Sequence, residues 1–319
     1  MAKTSKTSGK LAIVVIILLL LVLAGSLVGN YLVYKKFDEK KKSVVTLNKE
    51  YEKVKKEYDT KLKEVTELDE ELKKYENLDS QIDENKKTYF ANIKKLEDEI
   101  LAKKSNKKIA YLTFDDGPYY NTYKVLDILD KYNVKATFFT QSGNGQNCWD
   151  KKSANCFNLY KEYYKRGHTI ANHTYYHAIW GSTYKSTTEF LTQIKNQHEH
   201  IKKQSGGYVP TIMRFPGGMN TAKGMLGQKG FATVTSELKK MGYGWVDWTA
   251  QDGDGGDLSS TDQAWSNFRS SINDNIEVVL FHDYDSRTTA ILPNVIEYLQ
   301  KNGYSIFPLF YESNMVNKK

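Results

Sequence analysis

A chain of 319 residues with two cysteines and a formal net charge of +8 is too long for one small domain and too poor in thiols for a disulfide scaffold. The charge divides evenly, +4 from residues 1–106 and +4 from residues 107–319, so neither part has the basic concentration that phosphate binding needs and a nucleic-acid partner is excluded. All five prolines lie beyond residue 106, and residues 30–106 hold neither Pro nor Gly, which separates a helical front part from a globular remainder.

Residues 1–10 carry Lys3, Lys6 and Lys10 and no acid, and residues 11–33 are almost wholly apolar. A run of that length spans a bilayer, and the basic flank puts residues 1–10 in the cytoplasm. The expectation is a single-pass transmembrane signal-anchor over 11–33 in the cell membrane, with all that follows extracytoplasmic. Ala24-Gly25-Ser26 leaves a cleaved signal peptide as the competing reading.

Residues 34–106 form the expected α-helical coiled-coil spacer. Val44, Tyr51, Tyr58, Val65, Leu72, Ile93 and Ile100 make one seam position of a seven-residue repeat, and Leu47, Val54, Leu68, Tyr75, Ile82, Tyr89 and Leu96 the other. Sustained heptads predict a coiled coil and through it a homodimer. Breaks at Lys61, Asp79, Lys86 and Lys103 leave two alternatives, an antiparallel hairpin around Asn77–Asn85 and a solvated single helix.

From residue 107 to 319 short apolar runs alternate with helical stretches. Strands are predicted over 109–114, 136–139, 168–171, 213–215, 244–248, 278–281 and 305–309. Helices are predicted over 122–132, 157–166, from the capping box Ser186-Thr187-Thr188-Glu189 toward Ile201, over 234–241 and over 288–302. Such alternation means an α/β fold, a parallel sheet or barrel flanked by helices, with ligands at the C-terminal strand ends. Cys148 and Cys156 suit an oxidising compartment, where they could clip a surface loop; two unpaired thiols are the alternative.

The chemistry gathers at those strand ends. Asp115-Asp116-Gly117-Pro118 stops the first strand and delivers adjacent carboxylates, whose repulsion calls for a cation. His173 and His177 lie four apart, one turn if helical, and with Asp116 supply two imidazoles and a carboxylate, a ligand set that leaves a position open for water. Arg214-Phe215-Pro216 and the strand-end His282 follow.

Five segments in this order resemble the motifs of the polysaccharide deacetylase family (the NodB-homology domain of carbohydrate esterase family 4). They are Thr113–Pro118, His173–His177, Arg214-Phe215-Pro216-Gly217-Gly218, Asp247-Trp248 and Leu280-Phe281-His282. The resemblance covers residues 107–310 and implies a distorted (β/α) barrel, a divalent metal (Zn2+ being the usual one) and removal of N-acetyl groups from an amino-sugar polymer. It makes Asp115 the general base, with Arg214 orienting it. Asp116, His173 and His177 become the metal ligands and His282 the acid that protonates the leaving amine. Gly217 is a backbone oxyanion donor, and Trp248, with Trp245, a candidate apolar wall. Asp247, Asp252 and Asp254 are all candidates for the carboxylate that tunes His282. Many members have Tyr after the third-motif proline, where this chain has Gly217.

Anchor, spacer and motifs together lead to peptidoglycan N-acetylglucosamine as the expected substrate. N-acetylmuramic acid, an exported poly-N-acetylglucosamine and chitin oligomers are alternatives within the same chemistry, and a non-catalytic wall-binding scaffold is the alternative of another class.

Overall fold

The computed structural model describes residues 15–27, 42–143 and 158–313. Cys148 and Cys156 lie outside the described residues, as do residues 11–14 and 28–33 of the expected membrane span. What is described of that span is a helix, α1, over residues 15–27. Among the described residues no helix is long and apolar enough to cross a membrane.

Helix α2 (Lys42–Leu101) runs for 60 residues without interruption, including the stretch over 77–85 where a hairpin was the alternative. The chain divides into two compact units, Met1–Lys87 and Thr88–Lys319. In the first, the seam residues Tyr51, Val54 and Leu68 are exposed. The second takes in the last turns of α2, upstream of the boundary expected at residue 107. Ile93 and Ile100 are buried there in one cluster with Ile109, Tyr111, Val246 and Val278. Phe90 stacks on Phe310 with centroids 4.9 Å apart. Glu97 is fully buried and accepts a 2.5 Å hydrogen bond from the Tyr111 hydroxyl. The heptad rows that predict helix pairing here press against strands instead.

The sheet has eight strands, β1 (Lys108–Asp115), β2 (Thr137–Thr140), β3 (Thr169–Asn172), β4 (Ile212–Met213), β5 (Gly244–Trp245), β6 (Ala250–Gln251), β7 (Ile276–His282) and β8 (Tyr304–Ile306). Their order is β5-β4-β3-β2-β1-β7-β6, with β8 also on β1, and every pairing is parallel. Among the described residues β5 and β6 end the path without pairing, so the curled sheet is a distorted barrel. Helices α3 (Thr122–Lys131), α4 (Leu159–Lys165), α5 (Thr187–Ser205), α6 (Gly218–Lys240), α7 (Thr261–Ser271) and α8 (Ser286–Lys301) connect the strands.

Side chains alternate along a strand, and β1 shows what each face meets. Ala110, Leu112 and Phe114 pack outward with Val125 and Leu129 of α3 and Val295 and Leu299 of α8. Ile109 and Tyr111 point inward to Phe139, Val246 and Val278. Two helices differ from expectation. Helix α6 begins at Gly218 rather than near Val234 and bends at Gly227, whose φ of 68° and ψ of 165° are not helical; Gly224, Gly227 and Gly230 hide it in the sequence. Helix α7 has no counterpart among the expected elements, although Ser260 caps it by accepting from the Gln263 N–H.

If α2 floors the barrel, Ile100→Ala in the full chain lowers stability by about 2–4 kcal/mol and Glu97→Ala by about 1–3 kcal/mol through the lost hydrogen bond from the Tyr111 hydroxyl. Urea unfolding of the two variants measures both.

Candidate active site

The inward faces of the strands turn polar toward their C-terminal ends. On β1 the set Ile109, Tyr111 continues to Thr113 and Asp115; on β7 Ile276 and Val278 continue to Leu280 and His282; past β4, Ile212 is followed by Arg214. A cavity of about 440 Å³ opens there, with Asp115, Asp116, His173, His177 and His282 in its lining. The apolar floor thus passes directly into a polar mouth.

Asp116 Oδ1 lies 3.6 Å from His173 Nε2 and 3.4 Å from His177 Nε2, and one donor atom from each residue falls within 4.8 Å of the others. His173 Nδ1 is 2.8 Å from the Arg214 carbonyl, which fixes the tautomer: Nδ1–H donates and the Nε2 lone pair faces Asp116. Burial pushes the His173 pKa down to about 3, keeping that imidazole neutral. Two neutral-capable imidazoles and a carboxylate are a donor set that fits a divalent metal of the zinc type.

The two histidines do not share a helical turn. Residues 173–177 are a loop past β3, folded by the Asn172 Oδ1 accepting from the Thr174 N–H at 2.9 Å and the Thr174 Oγ1 accepting from the His177 N–H at 3.2 Å. Asp116, Thr174 and His177 all take left-handed backbone, with φ of 68°, 63° and 51°. Each costs about 1–3 kcal/mol for a non-glycine residue, and the loop hydrogen bonds help to hold two of them. Beside Asp116, a Cβ on Gly117 would stand 2.5 Å from Asp283 Oδ2, so only glycine fits between them.

Arg214 and Asp115 form a buried pair. Arg214 Nη1 donates to Asp115 Oδ1 at 2.7 Å and to Thr113 Oγ1 at 2.9 Å, Nε to the Val246 carbonyl at 3.2 Å and Nη2 to the Asp247 carbonyl at 2.9 Å. The guanidinium also lies over the Phe139 ring, 4.1 Å from its centroid. Burial lifts the Asp115 pKa above its ordinary value against the pull of Arg214. With Oδ1 held, Oδ2 is the oxygen toward the ligand set, 3.5 Å from His173 Nε2.

Across the cavity, His282 Nε2 stands 3.8 Å from Asp116 Oδ2. Of the three carboxylates considered for tuning it, Asp254 does so: its Oδ1 is 2.7 Å from Nδ1, and its Oδ2 accepts the His282 backbone N–H at 2.6 Å. Burial opposes charge on this imidazole, yet Asp254 overcomes it and raises the pKa to about 10. Asp247 is elsewhere, accepting the Met219 N–H at the start of α6 at 3.0 and 3.1 Å.

Gly217 and Trp248 line the cavity with Ile179 and Tyr284. Gly217 has a φ of 71°, and a Cβ there would press on Ile179 and Thr221 at 3.1 Å; the wall is backbone where a tyrosine would add a side chain. Trp245 is not part of it, packing against Phe215 instead. Tyr284, absent from the sequence reading, has its ring 5.1 Å from that of His282; an aromatic two residues past a strand-end histidine was the available signal. Gly255 is a second omission. A Cβ on it would fall 2.9 Å from His282 Cε1, so the 253–256 loop passes directly over the imidazole.

Residues 102–234 match the family profile described as polysaccharide deacetylase, a stretch that holds the first three motif segments but stops short of Asp254 and His282. The catalytic domain of a peptidoglycan N-acetylglucosamine deacetylase from Eubacterium rectale is 33% identical and has a TM-score of 0.59. That alignment covers 67% of this chain and 94% of that one. A peptidoglycan-N-acetylglucosamine deacetylase of Listeria monocytogenes is 30% identical over 226 residues, 69% of this chain and 42% of that protein. A bifunctional xylanase/deacetylase of Pseudobutyrivibrio xylanivorans is 30% identical over 202 residues, 63% of this chain and 29% of that protein. The chain therefore spans less than half the length of these two curated relatives.

His177→Ala and Asp116→Asn each remove one of three candidate ligands, and bound zinc per chain, measured by atomic emission after dialysis, is expected to fall from near one to near zero in both. Unchanged zinc content would overturn the ligand assignment.

Proposed function

This chain belongs to the polysaccharide deacetylase family, and on that premise we propose that it hydrolyses N-acetyl groups on an amino-sugar polymer, with N-acetylglucosamine of cell-wall peptidoglycan as the substrate. One observation carries the reading. Around a single cavity stand a metal-ligand trio, a carboxylate held by a buried arginine, and an imidazole held by a buried aspartate. The peptidoglycan substrate is supported by what the Eubacterium rectale and Listeria monocytogenes proteins are named for.

A divalent metal held by Asp116, His173 and His177, zinc by its donor chemistry, would supply charge to polarise the acetamide carbonyl and acidify water. The chain's own groups supply the proton transfers. Asp115 takes a proton from the attacking water through Oδ2, while Arg214 on Oδ1 keeps the carboxylate aimed. His282, its Nδ1 on Asp254, gives the proton from Nε2 to the departing amine. Two groups with separate partners and opposite roles are what amide hydrolysis needs. The Gly217 N–H is the candidate donor to the oxyanion, and Trp248 supplies apolar surface for the acetyl methyl.

In the same reading residues 11–33 are a single-pass anchor in the cell membrane with the catalytic unit extracytoplasmic. The exposed seam residues Tyr51, Val54 and Leu68 support pairing of two copies through the part of the spacer that precedes Thr88.

Acetate release by the zinc-loaded full chain is to be measured on peptidoglycan and on N-acetylglucosamine oligomers in parallel. Release from peptidoglycan is the expected result; release from oligomers alone moves the substrate to another glucosamine polymer, and release from neither with zinc bound overturns the deacetylase. Asp115→Asn retains zinc and loses about 10²- to 10⁴-fold in kcat, the range for a positioned general base.

A further inference from the structure

Asp252 has no place in the chemistry above, yet its side chain is fully buried two residues before the carboxylate that holds His282. Between the two carboxylates stands the hydroxyl of Thr288, in the first turn of α8. Thr288 Oγ1 is 2.8 Å from Asp252 Oδ2 and 2.6 Å from Asp254 Oδ2. Asp252 Oδ1 meanwhile accepts the Asp254 backbone N–H at 3.1 Å.

The protons must be counted. A threonine hydroxyl has one hydrogen, so it can donate to one of these oxygens only. Were both carboxylates ionised, the other contact would set two oxygens against each other with no hydrogen between them, in a buried place where such a contact is costly. One carboxyl must carry the missing proton. Asp254 is poorly placed to do so, since Oδ1 faces His282 Nδ1 and Oδ2 takes the His282 N–H. Asp252 Oδ2 is the site left.

We propose that Asp252 and Thr288 are positioning residues: the Asp252 carboxyl donates its hydrogen to Thr288 Oγ1, and Thr288 aims its own hydrogen at Asp254, holding that carboxylate in register beneath His282. The surroundings agree with this order. Burial, and after it the charge of Asp254, push the Asp252 pKa up to about 8. The groups that face it are Asp254 and, beyond that, His282 from β7, and from α8 Thr288 and Arg287. Arg287 is turned to Asp285, with Nε 2.9 Å from Oδ1, and on α7 Asn267 donates to the Asp252 main-chain carbonyl at 2.9 Å. Neither makes a hydrogen bond to the Asp252 carboxyl, on which the Arg287 charge acts without contact.

The kinetic arm of the test rests on the deacetylase reading; the spectroscopic arm does not. In the zinc-loaded full chain, Thr288→Val lowers kcat by about tenfold or more with KM little changed, and Thr288→Ser, which restores the hydroxyl, recovers it. Asp252→Asn can make the same two hydrogen bonds through its amide and exceeds Asp252→Ala in kcat by about tenfold or more. In infrared difference spectra at neutral pH, the wild type shows a carboxylic-acid carbonyl band that Asp252→Asn lacks and that fades as pH rises through about 8. The band of Asp283, whose pKa burial lifts to about 7, is common to both proteins and cancels.

Equal kcat for Asp252→Asn and Asp252→Ala overturns the relay, because the two hydrogen bonds that the amide keeps and alanine lacks would then contribute nothing. No band difference overturns it independently of activity. A wild type that releases no acetate from any substrate while showing the band difference defeats the deacetylase reading and leaves the relay standing.

Discussion

Arg214 is a full positive charge with no exposed surface, and burying such a charge is tolerable only when every donor finds an acceptor. Its acceptors come from β1 and from the segment after β5. In the sheet, β2 and β3 lie between β1 and β4, so the side chain leaving the end of β4 reaches β1 across the interior and not along the sheet. A flat sheet would leave Arg214 and Asp115 far apart. The curl of the barrel and the satisfaction of this cation are one requirement, and the active-site carboxylate is fixed as a by-product.

The same logic runs through the rest of the cavity. Three side chains of the site are held from behind: Asp115 by Arg214, His173 by the Arg214 carbonyl and His282 by Asp254. Arg214 acts twice, through its guanidinium on one and its main chain on another, so the proposed base and a candidate metal ligand share one anchor. Rigidity of this kind lets the site keep unlike protonation demands within a few ångströms of each other. The left-handed backbone at Asp116, Thr174 and His177 marks where the fold bends to bring the ligands together.

Much of this was legible in the sequence because it is periodic or punctuated. Short apolar runs gave the central strands, strand-end placement gave the reactive residues, and the Ser186–Glu189 box gave α5. What escaped depends on partners remote in sequence. Spacing of four between His173 and His177 is compatible with a helix and equally with a loop, and only the Asn172 and Thr174 bonds decide. Asp247, Asp252 and Asp254 lie within eight residues of one another; which of them meets His282 is set by how the 253–256 loop crosses β7. Ile93 and Ile100 obey the heptad whether they face another helix or a barrel floor. Helix α7 is the exception, since its Ser260–Gln263 capping pair was readable within a polar run.

Glu97 and its neighbours bear on how such a chain can be rearranged in evolution. A seam drawn where composition changes, at residue 107, would hand a new host protein a barrel without the buried Ile93, Glu97 and Ile100. The compact unit that holds the barrel begins at Thr88. Any fusion that keeps the packing of the barrel therefore keeps the last four turns of α2, with no loop between them and the turns before.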